Sequence, residues 1–431
     1  MTRGEYVVIC IAVGFLGFIN PLNVSARVAA PAKKVAEAVA PTDADAAAMA
    51  EVAAVDNSIR TFITKSKIKG ASLAVVKDGA IVYAKGYGYA NAASKEPVEP
   101  YHLFRIASVS KLITATGIMQ LVKAGVLSLD QKVFGPEGIL NDRVYCSYRD
   151  PRYEKITVKM LLNHSGGWSG KRPDPMFCKE LVAHTIGRPL PLSFTDIVSY
   201  MFRRNLDFEP GLRSSYSNFG YVLLGEVIKK VSKMDYETFI KRKVFKPLGI
   251  KTAFLSNNYP EEKHPNEVSY YDLRGNGVVP AWDGSGQMVP RNAGGNDLRM
   301  LGPAGGWVAS SVDIAKLLIG VAGYEKHNII SKDLISEMTT RQTYVQPLGW
   351  IGSDNNGRYW RSGSLSGTSA MVVKEKNGLS WVFLSNTSTR AGNKLPHIID
   401  AVVHRSVSKV QTWPNAKLWS FTNQLDSLQN L

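Results

Sequence analysis

With 431 residues, 45% of them apolar, the chain can bury a large core in one large or two intertwined domains, which excludes a disordered protein. Its formal charge of +16 raises nucleic-acid binding, but the basic residues are spread along the chain and Lys241-Arg242-Lys243 is only a short cluster, so the surface reads as solvated and no nucleic-acid partner is expected. Seven scattered histidines without HExxH, and three cysteines without CxxC or a Cys/His cluster, argue against a metal site, and no cofactor is expected.

Arg3 precedes an apolar run from Val7 to Ile19, and Val24-Ser25-Ala26 offers a small-residue cleavage site. The run is shorter than the roughly 20 residues that span a bilayer. Residues 1–26 are therefore expected to be a secretory signal, with an uncleaved anchor as the alternative. The protein is then exported, periplasmic or extracellular, and touches a membrane only if the leader stays attached. Anionic cell-envelope polymers become candidate partners for the cationic surface. Cys146 and Cys178 would survive cleavage, and the sequence leaves open whether they pair or stay free. Residues 27–50, rich in alanine and interrupted by Pro31 and Pro41, read as a linker, with a frayed helix over 27–48 as the alternative.

Organised structure is expected from Val52, Val55, Ile59, Phe62 and Ile63, which share a helical face. Residues 71–76 and 80–87 flank Asp78-Gly79 and read as a β-hairpin. A helix is expected from Ser108 to about Ala124, and a turn at Ser128-Leu129-Asp130. From about 130 to 300 the pattern is loop-rich, with helical pieces at 158–162, 221–230 and 235–244, and 255–300 is mostly irregular. Later, 346–351 and 358–362 read as a hairpin, as do 368–373 and 379–385, and 396–407 reads as a closing helix. The fold class is thus α/β in the broad sense (α+β). An antiparallel sheet flanked by helices is formed by residues 51–115 and 300–410, a mainly helical domain (116–299) is inserted, and 411–431 form a tail.

The chemistry begins at Ser108-Val109-Ser110-Lys111. A serine with a lysine one turn later places a hydroxyl beside an amine, which can make the alcohol nucleophilic without a histidine. Ser66-Lys67-Ile68-Lys69 and Ser406-Val407-Ser408-Lys409 share the spacing, but only Ser108 is followed by a long apolar helix that can hold it in place. Tyr216-Ser217-Asn218 is the candidate proton acceptor. In an extended segment Tyr216 and Asn218 point to one side, and a phenol beside an ammonium loses its proton more easily. Tyr89-Ala90-Asn91 is a decoy with no apolar helix after it. Arg361-Ser362-Gly363 lies on a late strand, where a glycine admits a substrate backbone. The backbone N–H groups of Ser108 and Ser364 are candidates for an oxyanion hole.

Ser-x-x-Lys, Tyr-x-Asn and a cation-Ser-Gly strand, in that order, resemble the serine β-lactamase and penicillin-binding-protein superfamily. The likeness is to its class C branch, shared with D-alanyl-D-alanine peptidases, D-aminopeptidases and family VIII esterases. Leu161-Leu162-Asn163-His164-Ser165-Gly166-Gly167, Glu209-Pro210-Gly211 and Ala304-Gly305-Gly306-Trp307 with Ser310 and Asp313 extend the resemblance over roughly residues 55 to 405. It implies an acyl-enzyme on Ser108, with Lys111 and Tyr216 sharing the general base. It also implies that Asn218 bonds Lys111 and the substrate amide, while Arg361, Ser362 and Gly363 bind substrate. His164 is implied to be structural. Three departures stand out: Ala309 replaces a usual serine, Ser165-Gly166 come one place early, and Arg361 stands where Lys or His is usual. Arginine cannot act as a base, which tilts the small-molecule or peptide substrate away from β-lactams and toward peptides or esters. A nucleophile elbow at Gly363-Ser364-Leu365-Ser366-Gly367 fails because its central residue is leucine. The rival that stays open is a penicillin-binding or sensor module of the same fold that acylates without turnover.

Overall fold

The computed structural model describes residues 43–413, apart from 274, 276 and 325–327. The expected leader, Cys10 and residues 27–42 of the expected linker lie outside the described residues.

Helix α1 (Asp43–Lys65) starts inside the segment expected to be linker. From Asp43 onward the helical alternative holds, for a simple reason. Residues 46–48 are all alanine, the strongest helix former, and Ala48 is buried with Val52, Val55 and Ile59. Strands β1 (Gly70–Lys77) and β2 (Ala80–Asn91) form the expected hairpin. Asp78 (φ 49°) and Gly79 (φ 83°) take the left-handed conformation that a two-residue turn demands. Strands β3 (Glu96–Pro97) and β4 (Phe104–Arg105) lead to helix α2 (Ser110–Lys123).

The middle holds helices α3 (Val158–Leu162), α4 (Lys179–Ile186), α5 (Phe194–Phe202), α6 (Asn218–Ser232) and α7 (Tyr236–Ile240). Short strands β5 (Phe254–Leu255), β6 (Tyr271–Asp272), β7 (Val278–Pro280), β8 (Met288–Pro290) and β9 (Trp307–Ala309) follow, with helix α8 (Gly302–Gly305) before β9. Helices α9 (Ser311–Val321) and α10 (Lys332–Thr339) come next. The chain closes with β10 (Gly352–Ser353), β11 (Tyr359–Leu365), β12 (Thr368–Lys374), β13 (Leu379–Ser385), β14 (Thr387–Ser388) and α11 (Leu395–Val407).

The central sheet runs β10-β11-β12-β13-β1-β2-β3 and is antiparallel throughout. Its early and late segments join at β1 and β13, where Leu73 faces Phe383. Period-two alternation then divides the side chains. Leu73, Val75, Trp381 and Phe383 pack with α1 and α11 on one face, while Ala74, Val76, Val382 and Leu384 face the layer that contains α2 and α9. That second layer continues without a break into Tyr200, Val227 and Phe245 of the helical middle.

Two late expectations are corrected. Residues 346–351 are not a strand: only Gly352 and Ser353 pair, with Trp360 and Tyr359. The apolar residues of that run serve the core instead. Trp350 is wholly buried, and a Cβ on Gly349 would lie 2.5 Å from the Ala115 Cβ of α2. The first residues of the expected tail are docked, since the Gln411 and Thr412 amides donate to the Glu51 carboxylate and Trp413 packs on Tyr83. Cys146 and Cys178 are free thiols. Burial pushes the Cys178 thiol up to about 11.

Candidate active site

Ser108 lies in a 3₁₀ turn, Ala107–Val109, just before α2 rather than as its first residue. Ala107 carries a positive φ of 46°, a strained conformation for a residue with a Cβ. Neighbours hold the turn: the Ile106 amide donates to the Trp307 carbonyl at 3.0 Å, and Arg361 Nε donates to the Ser108 carbonyl at 2.9 Å.

One helical turn on, Lys111 is completely buried. Its Nζ lies 2.6 Å from Asn218 Oδ1, 2.5 Å from the Ala304 carbonyl and 3.3 Å from Ser108 Oγ. Two of these partners are pure acceptors. A neutral amine has two N–H bonds and one lone pair, so the acceptors take the N–H groups and the lone pair is left facing Ser108. Burial first, and the Arg361 charge second, hold Lys111 well below the usual lysine range.

Tyr216 closes the triangle with its hydroxyl 2.6 Å from Ser108 Oγ. Its strand-like approach is fixed by two bonds to His164, Ser215 N–H to its backbone carbonyl at 2.8 Å and Ser217 N–H to its side-chain Nδ1 at 3.2 Å. The ring packs on His164 at 4.6 Å, and Arg361 Nη2 donates to its hydroxyl at 3.2 Å. The expectation of an easily lost phenol proton does not hold. Tyr216 is 36% exposed, but its hydroxyl end, enclosed by Ser108 and Arg361, is stripped of water, and that desolvation raises it above its usual value against the lowering pull of Arg361 and of the Ser108 bond. His164 is driven well below the usual histidine range by burial and by the Arg361 and Lys111 charges. It is a neutral platform for Tyr216.

Asn218 corrects a second expectation. The segment is extended only to Ser217, whose hydroxyl caps α6 by accepting from the Gly220 amide at 3.1 Å, and Asn218 is the first residue of that helix. Its side chain still reaches Lys111, because Nδ2 donates to Asp174 Oδ2 at 2.8 Å and so fixes Oδ1 toward the amine. Asp174 and the Ala304 carbonyl are the parts of the site that sequence reasoning missed. Asp174 sits in a loop between two prolines with no periodic signal. The Ala304-Gly305-Gly306 run was visible, but its carbonyl's job was not.

On β11 the structure brings Arg361 and Gly363 to Ser108. Arg361 is wholly buried, its Nη1 has no partner among the described residues, and its Nη2 reaches the Tyr216 hydroxyl, so the guanidinium faces the reacting groups instead of solvent. Beyond Trp360 the outer edge of β11 has no strand neighbour among the described residues. It approaches the serine turn so closely that a Cβ on Gly363 would lie 2.5 Å from the Ile106 carbonyl and 2.8 Å from the Ser108 nitrogen. Ser364 follows, exposed. Ser362 sits across from Met371, in the layer under α1 and α11, so alternation turns it away from the face of Arg361 and Gly363. Three distant segments thus place a hydroxyl, an amine and a phenol within hydrogen-bond reach of one another.

Comparison with known proteins accords with this arrangement. The family model described as "Beta-lactamase" matches residues 55–403. Penicillin-binding protein 4* of Bacillus subtilis (strain 168) is 34% identical over 215 residues, which is 49% of this chain and 42% of that protein, so the chain spans less than half of that relative's length. Protein flp of Staphylococcus aureus (strain MW2) is 26% identical over 371 residues, 83% of this chain and 68% of that protein. The octameric penicillin-binding protein homologue from Pyrococcus abyssi superposes with a TM-score of 0.62 at 27% identity, covering 82% of this chain and 77% of that one. The chain therefore belongs to the beta-lactamase family of serine hydrolases.

Proposed function

We propose that this protein is an exported hydrolase that transfers an acyl group from a peptide or ester carbonyl to Ser108 and then to water. The observation that carries the reading is the completely buried Lys111, with its two N–H acceptors satisfied and its remaining side 3.3 Å from Ser108 Oγ. In the first half-reaction Ser108 Oγ attacks the carbonyl carbon while its proton passes to the Lys111 lone pair. The oxyanion is held by the N–H groups of Ser108 and Ser364. Collapse breaks the bond to the leaving group, which takes a proton through Tyr216, and Lys111 returns one to the phenol. Water then attacks the acyl-enzyme by the same relay in reverse, and Ser108 is regenerated. Both Lys111 and Tyr216 take part, but their opposite shifts favour Lys111 as the first acceptor. Arg361 positions Tyr216 and the serine turn.

A panel of a short-chain aryl ester, a D-Ala-D-Ala peptide and nitrocefin tests the reading. Steady turnover of the ester or the peptide is the expected result. A stoichiometric adduct with every member and no turnover would instead favour a non-turnover penicillin-binding or sensor module. N-terminal sequencing of the protein recovered outside the cytoplasm tests the export half, with a mature end just after Ala26 expected.

Gly363→Ala is a further expectation. The added Cβ must push β11 from the serine turn, and a displacement near 1 Å costs roughly 10²-fold in rate. The measurement is kcat on the aryl ester, with circular dichroism showing an intact fold. An unchanged kcat would detach this strand edge from the oxyanion role.

A further inference from the structure

Starting one residue beyond Asp174, the partner of Asn218, lies a cavity of about 450 Å³, within the size range of small-ligand sites. Pro175, Phe177, Leu192, Ile197, Val279 and Met300 supply its apolar walls, drawn from the loop before α4, from α5 and its preceding loop, from the β7–β8 hairpin and from the approach to α8. None of Ser108, Lys111 and Tyr216 lines the cavity, but its wall adjoins residues that support them on two sides. Pro175 follows Asp174, which holds the Asn218 amide at 2.8 Å. Gly295 and Asn296 also border Leu365 and Ser366, at the end of the strand that carries Gly363 and Ser364. Phe177, 40% exposed, is a large apolar side chain left partly in water at this wall.

The charges nearby do not point to an ionic guest. Lys179, the cation of α4 that lines the cavity, donates to the Pro280 and Gly295 carbonyls at 3.1 Å each, so it fastens the hairpin to the helix. The other charged wall residues, Glu180, Arg291 and Asp297, are of mixed sign. The indole N–H of Trp282, also in the wall, is buried without a partner among the described residues, a donor beside the apolar walls.

We infer that the substrate carries an uncharged apolar arm, aromatic or medium-chain aliphatic, that fills this cavity while its carbonyl lies over Ser108. The inference rests on the serine-hydrolase reading above. It makes reactivity depend on arm length, because each buried methylene is worth about fourfold in rate or affinity.

The test uses p-nitrophenyl alkylphosphonates with methyl, butyl and octyl chains on the full-length protein. Each releases one nitrophenolate when Ser108 attacks phosphorus, so labelling is read without turnover. The octyl compound is expected to react at least ~30-fold faster than the methyl compound, from the methylene increment. Val279→Trp and Met176→Trp each fill the cavity from a partly exposed position and are expected to reduce that preference to about threefold or less while the methyl rate is retained. Equal rates along the series, or a preference intact in both tryptophan variants, would overturn the inference and leave the Ser108 chemistry standing. Failure of every member to release nitrophenolate from folded protein would sink the Ser108 reading itself, and this inference with it.

Discussion

Ser108→Ala is expected to lower kcat/KM on the aryl ester or peptide by roughly 10⁴–10⁶-fold, the range for loss of a catalytic serine. It should also abolish labelling by the phosphonates. The size of the effect follows from the site. Lys111 and Tyr216 are arranged around a single hydroxyl, and without it the relay has no proton to take. The neighbouring serine cannot substitute: Ser110 is wholly buried, and its Oγ accepts from the Trp307 amide at 3.1 Å. The structural cost is small. Ser108 is only half-buried and the variant forfeits its bond to Tyr216, a loss of about 1 kcal/mol. Thermal unfolding should therefore move by only a few degrees, which separates lost chemistry from lost fold. A decrease below tenfold, with the fold intact, would remove Ser108 from the mechanism.

Much of this site was legible because each motif is tied to an element the sequence announces. The apolar run after Lys111 marks α2, the Asp-Gly pair marks the first hairpin, and the strand-like runs at 368–373 and 379–385 are β12 and β13 almost to the residue. What escaped depends on tertiary packing. The Tyr-x-Asn segment was read as uniformly extended, yet Ser217 caps a helix and Asn218 is already inside it. Ser-x-x-Gly here is the only local sign of that cap, and it is weak. The phenol's direction was misread for a related reason. A sequence shows the nearby cations but not the loss of water around the hydroxyl, which dominates at Tyr216. The resemblance implies that Arg361 binds substrate. Its complete burial, with Nε and Nη2 already donating, came from how close β11 lies to the serine turn. Asp174 has no sequence signature, because its role exists only once Asn218 is beside it.

Lys111→Ala is expected to lower kcat/KM by roughly 10²–10⁴-fold, the usual contribution of a positioned general base. The cavity it leaves should admit small alkylamines, and rescue by methylamine or ethylamine would show that an amine lone pair is what was lost. In the native protein kcat/KM should rise with pH as Lys111 loses its proton and level off below the ordinary lysine range, because its folded-state value is depressed. Stability carries the same signature with a definite sign. The unfolded chain binds a proton at this lysine up to about pH 10.4, whereas the folded protein releases it earlier. Between those points the unfolded state holds more protons, so native stability rises with pH there. Below the folded value the penalty is constant, and above the unfolded value it is gone. Removing the amine removes that slope: melting temperatures of Lys111→Ala and native protein should converge as pH climbs through this window if the variant begins more stable, or diverge if the cavity and the unpaired Asn218 and Ala304 oxygens make it less stable at the start. Parallel melting curves across the window would mean that Lys111 titrates alike in both states. The buried neutral amine would then be lost as the base, and the reaction would have to start from Tyr216.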